Sequence, residues 1–392
     1  MVKYYSESGD KGVIAMLPPY VGILVNDVMY AGIPLGKTKY ERIDYYLEAG
    51  KKFGITPCFF RIRDYKAGKA WIKAYVQTDD DKFELAVVPM PQVIHNRAIY
   101  NGIKEFRTLR SWSDEGRVLF NSWNRYGKLF IHNVLMKNPG LQPYLPRTRK
   151  ATPANVKSMM KQFDSIIIKP DRSSKGRGVM KLSRTQKKWK LLYPSTLHVR
   201  NTKWHSIVFN GLKLPPVLRR RLQNGKYIVQ QCVALATYKK RPFDLRVAVQ
   251  RGAAGEWKIT GIVAKVASDR IFLTNVSQGS TIHRLEEILQ QEYPHLTHEE
   301  VIRSIHHLAL SVADQLGQSL PCMADLGLDI GLTTDGVPMF IECNGKDQRY
   351  SFLNAGMLKE WKASYENPMA FAKHLLTSGK EVDRPHAGKA DR

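Results

Sequence analysis

The chain has 392 residues, enough for two or three domains and several hydrophobic cores. Hydrophobic residues at 43 % and charged residues at 24 % are ordinary globular values, which excludes wholesale disorder. The unusual quantity is a formal net charge of +26, a field that favours anionic partners such as nucleotides, nucleic acid, acidic polymers or membrane surfaces.

The charge is concentrated. Between Arg147 and Arg251 the only acids are Asp164, Asp171 and Asp244, and this stretch holds nearly all of the positive excess. No apolar run approaches the ~18 residues needed to span a bilayer. The first residues also lack the basic, apolar and small-residue order of a leader, so a cytoplasmic protein with no membrane span is expected. Cys58, Cys232, Cys322 and Cys343 form no C-x-x-C pair and read as reduced, mostly buried thiols.

In chain order, Tyr20 to Asp27 reads as a buried strand, "KYERIDYYLEAGKK" as a helix ending near Gly54, and "ITPCFF" as the next strand. Residues 1–120 are thus expected to form a small α/β domain, with "WIKAYVQ" and "FELAVVPM" joined through "TDDDK" as an added hairpin. Tyr126 to Lys137 reads as a helix, and "NPGLQPYLPRT" as a joint. Then follow the strand "FDSIIIKPD", the glycine loop "RSSKGRGV" and the basic helix "LPPVLRRRLQNG". The late strands are "YIVQQCV", "LRVAVQR", "WKITGIVAKVA", "GLDIGLTT" and "PMFIECN", with a helix around Glu299 to Gly317 and a polar tail at 379–392.

Ala31 to Thr38, "AGIPLGKT", fits a relaxed phosphate-loop pattern. Its first glycine is missing, and Pro34 removes an amide from a loop that must present N–H groups, so an ordinary turn or a substrate loop is the better reading. A second set of residues makes sense together. Lys169 ends an apolar strand, and the following small residues and glycines let backbone amides approach phosphate oxygens. Asp329 and Glu342 lie on two strands joined by the turn "TTDGV", which sets their carboxylates side by side, with Asn344 on the same face as Glu342. Two carboxylates and an amide oxygen are hard ligands suited to Mg²⁺. Asn96, Arg97 and Asn121 are polar enough either to orient a substrate carboxylate or to bond the backbone in turns.

The ordered set "YGK" (Lys128), "IIIKP", "SSKGRGV", "YIVQQCV", "FDLRV", "AKV", "TNVSQGS", "GLDI" and "IECN" resembles the ATP-grasp superfamily, and "RPFDLRVAVQR" with "TNVSQGS" is similar to its YheC/YheD branch of endospore coat-associated proteins. The resemblance implies an ATP-grasp fold, mixing α/β and α+β, with an N-terminal Rossmann-like (pre-ATP-grasp) domain at 1–120. It implies an ATP-grasp domain at 121–378, comprising a basic lid subdomain at about 165–230 and a metal-binding subdomain at about 231–378.

By the same resemblance, Lys128 and Lys169 contact ATP phosphates, and Ser173, Ser174, Lys175, Gly176 and Gly178 belong to a closing loop. Gln230, Gln231, Cys232 and Val233 hold adenine, Asp244 binds ribose and Asn275 lines the pocket. Arg246 and Lys265 act on phosphate or acyl-phosphate, and Asp329, Glu342 and Asn344 bind Mg²⁺, with two ions expected.

The activity implied is ATP-dependent joining of a carboxylate to an amine, and the basic excess points to an acidic amino acid, peptide or polymer as the expected acceptor. The alternative is a non-catalytic ATP-binding protein of the spore surface. The sequence holds no nucleic-acid motif or aromatic stacking platform, which argues against a nucleic-acid partner. Oligomeric state is not legible.

Overall fold

The computed structural model describes residues 18–78, 82–195, 203–268 and 272–378 and arranges them around three six-stranded sheets. The polar tail, the first 17 residues and the centre of the "TDDDK" turn lie outside the described residues.

The first sheet contains β1 (Tyr20–Leu24), β2 (Thr56–Phe60), β3 (Trp71–Gln77), β4 (Phe83–Pro89), β5 (Val93–Asn96) and β6 (Val118–Phe120), in the order β4-β3-β2-β1-β5-β6. Strands β1, β2, β5 and β6 are parallel, and β3 and β4 form the expected antiparallel hairpin at one edge. Parallel strands are covered on both faces and so read as continuous apolar runs, as β1 does. Helix α1 (Asp27–Gly32), which the sequence reading passed over, follows β1 directly.

The Ala31–Thr38 match is therefore the end of α1 and a 3₁₀ turn, Ile33–Leu35, closed by the Lys37 N–H on the Gly32 carbonyl at 2.8 Å. The segment is a turn closed on its own backbone. The expected helix from Lys39 begins only at α2 (Ile43–Phe53), because Lys39 has φ of 57° and the Thr38 hydroxyl donates to the Glu41 carbonyl. Helix α3 (Ile103–Asp114) joins β5 to β6. Helix α4 (Lys128–Leu135) is shorter at both ends than expected.

The second sheet contains β7 (Thr148–Lys150), β8 (Ser165–Pro170), β9 (Met180–Thr185), β10 (Lys188–Pro194), β11 (Trp204–Asn210) and β12 (Tyr227–Gln231), in the order β11-β10-β9-β8-β12-β7. All its pairs are antiparallel. Helices α5 (Pro153–Gln162) and α6 (Pro216–Leu222) cover one face, burying Ile166, Ile168, Leu182 and Leu191 against Val156, Met160 and Leu218. Among the described residues no helix layer covers the other face.

The third sheet contains β13 (Thr237–Tyr238), β14 (Arg241–Arg251), β15 (Trp257–Val266), β16 (Thr281–His283), β17 (Asp325–Leu332) and β18 (Pro338–Asn344), in the order β16-β15-β14-β17-β18 with β13 paired to β14. Helices α7 (Leu285–Glu292) and α8 (His298–Ser319) cover one face. Helices α9 (Tyr350–Asn354) and α10 (Leu358–Ser378) lie on the other.

No expectation covered α10, yet it ties two sheets together. Trp361, Tyr365 and Met369 share one core with Val21 and Val93 of the first sheet, with Tyr46 of α2 and with Ala248 and Val263 of the third sheet. Among the described residues no helix is long and apolar enough to cross a membrane. All four cysteines are free; Cys58 is fully buried, whereas Cys232, Cys322 and Cys343 are half-buried, Cys322 and Cys343 at the margins of hydrophobic cores.

Candidate nucleotide and metal site

The site grows from the two-residue period of the third sheet. In β14, Phe243, Leu245, Val247 and Val249 enter the core under α8, so Asp244 and Arg246 are left on the opposite face. In β17, Leu326, Leu328 and Ile330 do the same and leave Gly327 and Asp329 opposite. Register then opposes the charges directly: Asp244 faces Lys265, Arg246 faces Asp329, and Asp329 faces Glu342. The side-by-side carboxylates expected from the hairpin are present.

These charges are buried and paired. The Arg246 Nε and Nη2 reach Asp329 Oδ1 and Oδ2 at 3.0 and 3.3 Å, and its Nη1 reaches Asp347 Oδ1 at 3.0 Å. The Lys265 Nζ lies 2.7 Å from Asp329 and 3.1 Å from Asp244. Burial alone works against an ionised Asp329, but Arg246 and Lys265 outweigh it and hold its carboxyl down at about 2. Asp244 moves the other way: burial and the nearby Asp329 charge push it up, although Lys265 opposes them. Gly327 is required here, because a Cβ would sit 2.4 Å from Asp347 Oδ1 and 2.8 Å from Arg246 Nη1. Asp347 was not singled out in the sequence; its only signal was a second acid shortly after Asn344.

Glu342, Asn344 and Asp329 provide oxygen donors of the kind Mg²⁺ takes, and in donor chemistry they fit the ion. In this structure both Asp329 oxygens face cations, and the Asn344 amide donates toward Asp329 at 3.4 Å. Among the described residues no three His, Cys, Asp or Glu side chains converge in the manner of a metal site.

Above this row lies a cleft between the second and third sheets. Lys128, Lys169, Ser173, Ser174, Lys175 and Gly176 line one side. Gln230 to Val233, Asp244 and Asn275 line the rest, with Asp329 and Glu342 at one end. Gly178, Arg246, Lys265 and Asn344 do not line it. Arg246 and Lys265 were expected on phosphate, and the carboxylates they already pair with keep them behind the cleft wall.

Helix α4 brings Lys128 to the cleft through Asp171, which also escaped the sequence reading. The Asp171 carboxylate accepts from the Leu129 N–H at 2.8 Å, capping the start of the helix. A Cβ at Gly127 would collide with it at 2.3 Å. The Lys128 Nζ then donates to the Ser173 carbonyl at 2.7 Å and lies 3.5 Å from Glu342. The loop is held from the other sheet as well, since the Gln278 amide donates to the Lys175 carbonyl at 3.3 Å. On the opposite wall, the Gln231 Oε1 accepts from the Arg147 N–H and the Gln230 amide donates to Thr148 Oγ1. Both side chains tie this strand to β7 and leave backbone and Cys232 toward the cleft.

Burial lowers Lys169 to about 8, with Lys128 adding to the shift and Glu342 opposing it. Phosphate groups favour the ammonium form and raise that value again. Nucleotide binding is therefore expected to take up protons at about pH 8.5 and almost none at about pH 6.5, where Lys169 is already charged. Calorimetry in buffers of different ionisation enthalpy reads this uptake, and Lys169→Arg should abolish it.

Asn96, Arg97 and Asn121 are not in the cleft. Asn96 donates to the carbonyls of Asn121 and Ser122, and Asn121 bonds Ala324, Asp325 and Gly345 backbone groups. Arg97, 2 % exposed, is consumed by Glu41 and Asp325. The alternative reading, backbone bonding in turns, holds for both asparagines.

Two helix-backed antiparallel sheets facing each other across a cleft form the ATP-grasp fold. The chain belongs to the YheC/D-like ATP-grasp family, whose description matches residues 116–375. Endospore coat-associated protein YheD of Bacillus subtilis (strain 168) is 24 % identical over 326 residues, 79 % of this chain and 68 % of that protein. Endospore coat-associated protein YheC of the same organism is 23 % identical over 349 residues, 85 % of this chain and 93 % of that one. Among solved structures, D-cycloserine synthetase DcsG matches with a TM-score of 0.50 at 12 % identity, covering 91 % of this chain and 99 % of that chain; this likeness concerns fold alone.

Proposed function

We propose that the protein is an ATP-dependent carboxylate–amine ligase. The observation that carries the reading is the convergence of Lys128, Lys169, Asp329 and Glu342 from three separate parts of the chain on one cleft. In this reaction a substrate carboxylate oxygen attacks the γ-phosphorus of ATP and expels ADP. An amine then attacks the acyl-phosphate carbon, loses a proton and expels phosphate, leaving an amide.

Such chemistry needs alignment and charge neutralisation more than a dedicated nucleophile. Lys128 and Lys169 hold the phosphates. The loop from Ser173 to Gly178 excludes the water that would hydrolyse the intermediate. Gln230 to Val233 seat the base, Asp244 the ribose, and Asn275 lines the pocket. Arg246 and Lys265, steadied by Asp347 and Asp244 as well as by Asp329, supply positive charge to the transferring phosphoryl group or acyl-phosphate. Asp329, Glu342 and Asn344 would hold Mg²⁺, in our reading two ions, which when bound neutralises phosphate charge.

Residues 1–120 form a domain that shapes the acceptor side in this proposal, with 165–230 acting as lid and 231–378 as the metal-binding part. The positive excess favours an acidic amino acid, peptide or polymer as second substrate. Spore association agrees with the names of its relatives, and a cytoplasmic location is our reading. A second reading, a nucleotide-binding coat protein without turnover, draws on those same names.

A screen of ADP release across amino acids, peptides and acidic polymers with Mg²⁺ and ATP separates the two. We expect a carboxylate and amine pair that releases ADP, with a product mass equal to the two substrates less water and a loss of at least about a hundredfold in Glu342→Gln. Nucleotide binding with no ADP release from any mixture would leave the second reading.

A further inference from the structure

The second sheet carries an open face of which the nucleotide cleft takes only the end at Ile167 and Lys169. Along β8 to β11, Ile166, Leu182 and Leu191 turn to the helices. The alternate residues form rows on the other side: Ile167, Lys181, Leu192 and Ser206 in one, Ser165, Ser183, Lys190 and Val208 in the next, then Thr185, Lys188 and Asn210. The first row begins at the cleft, since Ile167 lines it. The face then runs outward past Lys181, Lys190 and Lys188 to β11, which is the edge of the sheet.

Among the described residues no carboxylate pairs with these lysines. The chain has no Asp or Glu between Asp171 and Asp244. Among the described residues Lys181, Lys188 and Lys190 form no ion pair; the Lys181 ammonium lies over the Phe272 ring instead, 5.4 Å from its centre. Lys188 and Lys190 are exposed, and so is Val208 at 58 %.

We propose that this face and the β11 edge dock an extended acidic polypeptide. The complementarity is of charge and of repeat. Side chains on one face of a strand recur every ~6.6–6.8 Å, the spacing of Lys188 and Lys190 and equally of alternate carboxylates on an extended chain. The open backbone edge of β11 can accept such a chain as a further strand. Nucleic acid fits less well, because Trp204, the aromatic at the start of β11, is already in edge-on contact with Phe272 at 5.7 Å. That the polypeptide is also the acceptor rests on the ligase reading above, whereas its binding does not, so the two fail separately.

The test is binding of fluorescent poly-L-glutamate to the full chain, with Lys188→Glu/Lys190→Glu compared with Lys157→Glu/Lys161→Glu, an equal charge change on exposed positions of α5. Thermal melts check folding, and Lys188→Gln/Lys190→Gln serves if the glutamate pair misfolds. We expect at least a tenfold loss of affinity in the sheet variant and less than about a threefold loss in the helix variant. Equal losses would mean a general field and overturn the proposal. Absence of polyglutamate binding overturns it too. So does tighter binding of a DNA duplex or of phosphatidylserine vesicles through the same lysines, which would assign the face to nucleic acid or membrane.

Discussion

Lys169→Ala is expected to lower nucleotide affinity about thirtyfold to a hundredfold, while Lys37→Ala leaves it unchanged. The magnitude follows from loss of one charge-assisted contact of about 2–3 kcal/mol in a site screened from water. Lys169 is 6 % exposed and its Nζ is steered by the Ile341 carbonyl at 3.5 Å, so the ammonium has little freedom to lose on binding. Lys37 stands in the turn after α1, in the first sheet's connection and outside the cleft. Equilibrium titration with a fluorescent ATP analogue reads both variants. A loss confined to Lys37→Ala would move the nucleotide to the Ala31–Thr38 segment and undo the site described above.

Asp325→Asn is expected to destabilise the fold by about 3–5 kcal/mol, the usual cost of leaving buried charge without its partner. Asp325 has no exposed surface and binds three side chains: Arg349 at 2.8 Å, Arg97 at 3.1 Å and Gln250 at 2.9 Å. The two guanidiniums would be left with Glu41 as their remaining carboxylate, at 2.6 Å from Arg97 and 3.8 Å from Arg349. His95, 3.3 Å from Asp325, adds no charge at neutral pH, because burial lowers it to about 4.

The pH dependence carries the same signature. Burial opposes ionisation of Asp325, but Arg349 and Arg97 outweigh it and hold the carboxyl well below the usual range; Glu41 is likewise held at about 2. A carboxyl depressed on folding stabilises above its unfolded value near pH 4, and that contribution is lost as pH falls toward the folded value. Urea denaturation should therefore show wild-type stability falling below about pH 4, with a shallower fall in Asp325→Asn. Equal slopes would show that the pair contributes nothing.

Asp325 also explains why Arg97 misleads as a substrate residue. In the sequence it is an arginine in a polar loop after a strand, which suits carboxylate binding. Its partners Glu41, Asp325 and the Asp347 carbonyl are remote in the chain, and only folding brings them to it.

The sequence by itself determined the four longer strands of the third sheet, β14, β15, β17 and β18, and which of their residues carry charge, but not the short β13 and β16. Alternation in "FDLRVAVQ" and "LGLDIGL" places apolar residues on one face and charges on the other, and two such strands around a short turn leave little choice about which carboxylates meet. Lys169 and its glycine loop were legible for the same local reason.

The tertiary structure alone decided where the charges point. Arg246 and Lys265 lie behind the cleft because Asp347, Asp244 and Asp329 hold them there, and Lys128 reaches the loop because Asp171 caps its helix. It also decided that α10 binds the first sheet to the third. Hydrogen bonds and ion pairs between residues hundreds of positions apart leave no periodicity to read, and a helix packed between two sheets has no single face to announce it.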